Sequence, residues 1–263
     1  SSDVCSSDLY FTDFGHQKYN GLLLSATRRA GTNSASVNYT LSKCMGHPTQ
    51  GGGTSNVASG YMVPVSLFNP PADRDARLDT DYGPCDNDRR HIFNLSATVE
   101  TPEFMSKSVR MVASGWRFSG SFRALSGRTL NLTTGADRSL AGNPGQQRPN
   151  QILDNPYGDK SWNNYLNPAA FAQPAFGTFG NATRNGYYGK GSRVVDLSVV
   201  RSFRFAGTHR VEARVESFNL FNWLRPGGNG NNGPVTVLTN ANFGRYLQAD
   251  DPRIMQFALK YQF

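Results

Sequence analysis

Cys44 and Cys85 carry the plainest chemistry in this chain. In an oxidising compartment, two thiols bracketing one irregular stretch can close it as a disulfide, which removes about 3 to 4 kcal/mol of chain freedom in the entropy model. In a reducing one they stay two free thiols. Asp73, Asp75, Asp79, Asp81, Asp86 and Asp88 lie in or just after the same stretch and could offer oxygen to calcium. The order is not that of a calcium-binding loop, and Arg74, Arg77, Arg89 and Arg90 are at hand as ion partners. A solvated, salt-bridged loop is therefore the simpler expectation, and no metal or cofactor is assigned.

Catalytic patterns are weak. There is no Gly-x-Ser-x-Gly and no His-Glu-x-x-His, and His16, His47, His91 and His209 are far apart in sequence. Gly189-Lys190-Gly191-Ser192 fails as a phosphate loop, because Arg184 stands where glycine is needed and Gly191 where Ser or Thr should follow the lysine. No catalytic residue is assigned, and the chain is not expected to be an enzyme. Trp162, Tyr165, Phe171 and Tyr187, in a long irregular region, are candidates for substrate contact, although packing within the loop accounts for them equally well.

The elements that would position these residues are strands. From Arg253 to the terminus, Met255, Phe257, Leu259, Tyr261 and Phe263 alternate with Gln256, Ala258, Lys260 and Gln262. A side-chain period of two puts the first set on one face and the second on the other. Similar alternation marks strands at about 19–29, 35–43, 91–100, 114–125, 193–205 and 210–222, with a further short strand within 128–134. Ala30-Gly31-Thr32-Asn33 and Ala206-Gly207-Thr208-His209 read as tight turns. On the strand that follows the second of these turns, Arg210, Glu212, Arg214 and Glu216 share a face that cannot be dry. Two irregularities stand out. Arg201 falls on the apolar face and is expected at an interface or beside a bulge, and a parity shift at Phe218 and Leu220 suggests a bulge near Ser217.

The connections alternate short and long, so in an antiparallel meander the three long ones share a rim. That sorting, with Trp116, Phe122, Phe203, Phe205, Tyr261 and Phe263 expected in interfacial girdles, points to an antiparallel transmembrane β-barrel, of which about 7–8 strands are present. Hydrophobic residues make up only 38% of the chain while aromatics reach 12%, which fits a single-layer wall better than a thick core. The net charge of +8 is spread singly rather than clustered, so nucleic acid is not an expected partner. Ser1 to Leu9 reads as a non-native leader, leaving 10–263 as barrel; the even-strand rule then calls for at least one strand before Tyr19. A passive channel, a small closed barrel and a secreted β-rich binding module remain open alternatives.

Seven segments in order resemble the C-terminal barrel of TonB-dependent receptors of the Oar-like group. They are Tyr19-Asn20-Gly21-Leu22, Tyr39-Thr40-Leu41-Ser42-Lys43, Asp88-Arg89-Arg90-His91-Ile92-Phe93, Asn167-Pro168-Ala169-Ala170-Phe171, Phe176-Gly177-Thr178-Phe179-Gly180-Asn181, Glu216-Ser217-Phe218-Asn219-Leu220-Phe221-Asn222, and Asp251-Pro252-Arg253 leading to Phe263. The resemblance implies a larger barrel plugged by an N-terminal domain, energised by the inner-membrane TonB complex and taking up an extracellular substrate. It also implies that Met255, Phe257, Leu259, Tyr261 and Phe263 form the signal read by the barrel-assembly machinery, and that outer-membrane lipid surrounds the wall.

Overall fold

The computed structural model describes residues 15–48, 79–86, 88–140, 147–205, 209–227 and 233–263. Ser1–Leu9, Asp73, Asp75, Arg74, Arg77 and the turn residues 206–208 lie outside these.

Among the described residues the elements follow in chain order: β1 (Gln17–Ala30), β2 (Asn33–Gly46), β3 (Gly83–Pro84), β4 (His91–Glu100), α1 (Lys107–Ala113), β5 (Trp116–Leu125), β6 (Thr129–Leu130), β7 (Asn150–Gln151), a 3-10 turn (Pro168–Ala170), β8 (Phe171–Ala172), β9 (Tyr187–Tyr188), β10 (Ser192–Phe205), β11 (His209–Phe218) and β12 (Ile254–Gln262). The seven long ones form one antiparallel sheet in the order β1-β2-β4-β5-β10-β11-β12, and β3 extends the end of β2. The sheet is not closed; β1 and β12 are its two edges. No described helix is long and apolar enough to cross a membrane. The shorter strands, at nine or ten residues, match what a tilted strand needs to span a bilayer.

Register follows the alternation in the sequence. Arg29, Ser34, Thr98, Ser119, Ser198, Glu216 and Gln256 line up across the whole sheet on the polar face. On the apolar face, Val99, Phe118, Val199, Val215 and Phe257 make a row of direct neighbours. Because the period is two, a slip of one residue in any pair would exchange the faces, which is what fixes the register. The first hairpin turns through Gly31-Thr32; Gly31 has φ +60°, which a two-residue hairpin needs and glycine adopts without steric cost.

One expectation is overturned here. There is no bulge near Ser217: β11 pairs regularly with both neighbours through that residue. The parity changes because the strand ends at Phe218 rather than running to residue 222. Asn219, at φ +52°, then takes the chain into a turn, its Oδ1 accepting the Trp223 N–H at 3.0 Å. The connection between β4 and β5 also contains α1, seven residues without a side-chain cap and too short to leave a periodic signature. The short strand expected within 128–134 is β6, which pairs with β9 in a separate small sheet.

Candidate functional site

Two surfaces can act on a solute: the polar face of the sheet and a cap built from the long connections. Hydroxyls and charged groups share the polar face. Thr98 and Ser119 are 3.1 Å apart through their hydroxyls, and Ser198 Oγ donates to Glu216 Oε1 at 3.2 Å. Below them Arg214 donates to Glu212 at 2.9 Å and lies 3.8 Å from Glu216, while Arg210 reaches Glu212 at 3.5 Å and Arg117 pairs with Glu100. The charges that could not be buried dry thus neutralise one another on a surface open to water.

The hydrophobic core is not in the sheet. Leu130, Leu132, Tyr165, Leu166, Ala170, Phe171, Ala182, Tyr187, Phe243 and Tyr246 form a buried cluster made from the connection between β5 and β10 and the one between β11 and β12. Aromatic edges meet faces at its centre: Tyr165 to Tyr246 at 5.1 Å, Phe171 to Tyr187 at 5.5 Å and Phe171 to Phe243 at 5.6 Å. Every ring hydroxyl has a partner. Tyr165 donates to the Tyr188 carbonyl, Tyr187 to Gln151 Oε1, and Tyr246 accepts the Lys190 N–H at 2.7 Å. Burial pushes the Tyr187 and Tyr246 phenols up to about 12, and that of Tyr165 higher still.

This placement corrects one expectation. Tyr165, Phe171 and Tyr187 cannot present themselves to a substrate because they are the packing of the cap; Trp162, partly exposed, leans on Tyr246 at 5.1 Å. Leu132, Leu166, Phe243 and Tyr246 complete the core and carry no periodic signal in the sequence.

The connection between β2 and β4 is tied to the same cap. Cys44 and Cys85 are joined by a disulfide with Cα atoms 5.4 Å apart. Asp81 pairs with buried Arg148, and Asp86 with Arg184 at 2.6 Å, while Asn185 donates to Asp86 and to the Pro84 carbonyl, both at 2.8 Å. Asp88 Oδ1 accepts the Cys44 N–H at 2.8 Å. These acidic groups serve ion pairs and backbone donors, and among the described residues no cluster of His, Cys, Asp or Glu could hold a metal ion. His16 and His47 meet at 4.7 Å; His47 Nδ1 accepts the His16 N–H, and burial holds its imidazole below the usual range.

The rims carry aromatic groups as the strand ends predict. Tyr261 bonds His209 at 2.7 Å and stacks near Phe205 at one rim, and Tyr39 bonds His91 at 2.8 Å at the other. Phe122 lies further inside the sheet, between Leu95 and Val195. Arg201 sits on β10 opposite Trp116, the first residue of β5, its guanidinium 4.6 Å from the rings of Trp116 and Phe203 and bonded to the Met111 carbonyl of α1. Charge on the apolar face is thereby held beside the short connections and covered by rings. On β12, Met255, Phe257, Leu259 and Tyr261 all stand exposed on that face, with Phe263 just beyond.

An open single-layer sheet with one apolar and one wet face, and its core confined to connections on one rim, defines a membrane-barrel wall. The family model described as outer membrane beta barrel domain matches residues 6–256, and the chain belongs to that family. Its place is the outer membrane. No curated protein and no solved structure matches the chain.

Proposed function

We propose that this chain forms wall and cap of a TonB-dependent outer-membrane receptor of the Oar-like group. The observation that carries the reading is the cap itself. Three long connections, all on one rim, are knitted into a packed structure with its own core, a disulfide and buried ion pairs, whereas among the described residues the opposite rim shows a tight turn and a helix-bearing connection. A built cap over a wet wall suits capture of a scarce solute before passage. The free edges of β1 and β12 support the same reading, since unpaired strand edges are not tolerated in lipid and call for closure by further strands. The cap faces the exterior, and the partners are outer-membrane lipid, the barrel-assembly machinery reading Met255, Phe257, Leu259, Tyr261 and Phe263, the TonB complex through an N-terminal plug, and a solute that is bound and passed rather than chemically changed.

Planar-bilayer conductance of the intact protein tests this. A plugged receptor gives little steady current, and mild urea opens it as the plug lets go. A large constant current from the untreated protein would make it a passive channel instead.

A further inference from the structure

A cleft of about 530 Å³ opens on the polar side of the sheet, under the cap. Its wall carries Asn38, Asn94 and Ser121 from three neighbouring strands, and Asp196 from the fourth. Asp196 is fixed in place: Oδ1 accepts the Asn219 N–H at 2.9 Å and Oδ2 lies 3.4 Å from Ser121 Oγ. Each carboxylate oxygen can take further donors, and each Asn amide offers two donors and an acceptor.

Phe218 is the unexpected member. It ends β11 in the same parity as Arg210, Glu212, Arg214 and Glu216, so it belongs to the wet face, and 44% of its surface is exposed there. Its ring borders this cleft and the neighbouring hydroxyl-lined one of about 400 Å³. On the lipid side an exposed Phe is ordinary, but on the polar face it leaves apolar area in water that a ligand can cover. The four charged residues that line the cleft balance formally, Arg123 and Arg225 against Asp196 and Asp251, and Arg225 is itself paired with Asp250 at 3.6 Å. Amides and a carboxylate around an exposed ring, with no net charge, suit a ligand that has an apolar face of C–H groups and a rim of hydroxyls.

We infer that this cleft is a recognition subsite for a neutral saccharide, with Phe218 as stacking platform and Asn38, Asn94 and Asp196 as hydroxyl partners. The inference rests on the receptor reading and names its substrate class.

The test is capture of the intact, detergent-solubilised protein on an array of neutral, sialylated and sulfated oligosaccharides, with Phe218→Ala, Phe218→Trp and Asp196→Asn alongside and circular dichroism to confirm that each variant is folded. At least one neutral oligosaccharide should be retained, with binding falling by roughly tenfold or more in Phe218→Ala and Asp196→Asn, and surviving in Phe218→Trp. Capture of none, capture of charged glycans only, or neutral capture indifferent to a folded Phe218→Ala would overturn the assignment. Conductance separates the two claims: a closed pore without neutral-glycan capture keeps the receptor and ends the saccharide subsite.

Discussion

Arg148 and Asp81 meet inside the cap with side-chain exposures of only 3% and 0%, although they come from two different long connections. Arg148 also donates to the Ala182 and Thr80 carbonyls, so one guanidinium ties three stretches of chain together. Removing the carboxylate strands a buried cation, a change that costs about 3 to 5 kcal/mol. Asp81→Ala should therefore open the cap to trypsin at lower urea than wild type while the sheet keeps its circular dichroism. Asp81→Ala with Arg148→Met should recover part of the loss. Equal protease resistance in Asp81→Ala and wild type would show that the pair contributes little.

The bond from Cys44 to Cys85 encloses a sequence separation of 41 residues. In the chain-entropy model a loop of that length is worth about 4 kcal/mol. Non-reduced peptide mapping of the purified protein should yield a peptide joined through these two cysteines, and reduction should lower the urea midpoint of the cap. Two separately recovered free-thiol peptides would place the chain outside an oxidising route.

The phenols of Tyr187 and Tyr246 give the cap a pH signature. Their folded values of about 12 stand above the ordinary value near 10, so the neutral forms are favoured in the native cap. The stabilisation is fully present below pH about 10 and is lost as pH rises from there through about 12. Ultraviolet titration should show exposed tyrosines ionising first and this group later, with cap unfolding in the same interval. Tyr246→Phe, which also removes the acceptor of the Lys190 N–H, should lose the late phase in part. A single phase near pH 10 would contradict the buried placement.

The sheet was legible because its information is local. Val199, Val215 and Phe257 each sit on the face that their own neighbours in sequence assign, and direct pairing across β10, β11 and β12 follows from that parity. The cap was not. Tyr165 meets Tyr246, and Phe171 meets Phe243, only because two distant connections pack together, and no period marks such a contact in advance. That is why Tyr165, Phe171 and Tyr187 read as contact candidates when they are core. Near Ser217, alternation was followed too far: the left-handed turn at Asn219 ends the strand, and a local count of apolar residues mistakes that ending for a bulge.

The account depends on which face meets lipid, and adjacent residues of β10 decide it. Val199 lies in the apolar row and Ser198 in the polar one. A spin label at Val199→Cys or Ser198→Cys in the intact protein, reconstituted in phospholipid vesicles, reports collisions with oxygen, which concentrates in acyl chains, and with a water-soluble nickel chelate. The expected result is oxygen access at Val199 and nickel access at Ser198. A label at Val199 shielded from both reagents would mean that the apolar face is packed against a second protein layer, and the wall described here would not exist.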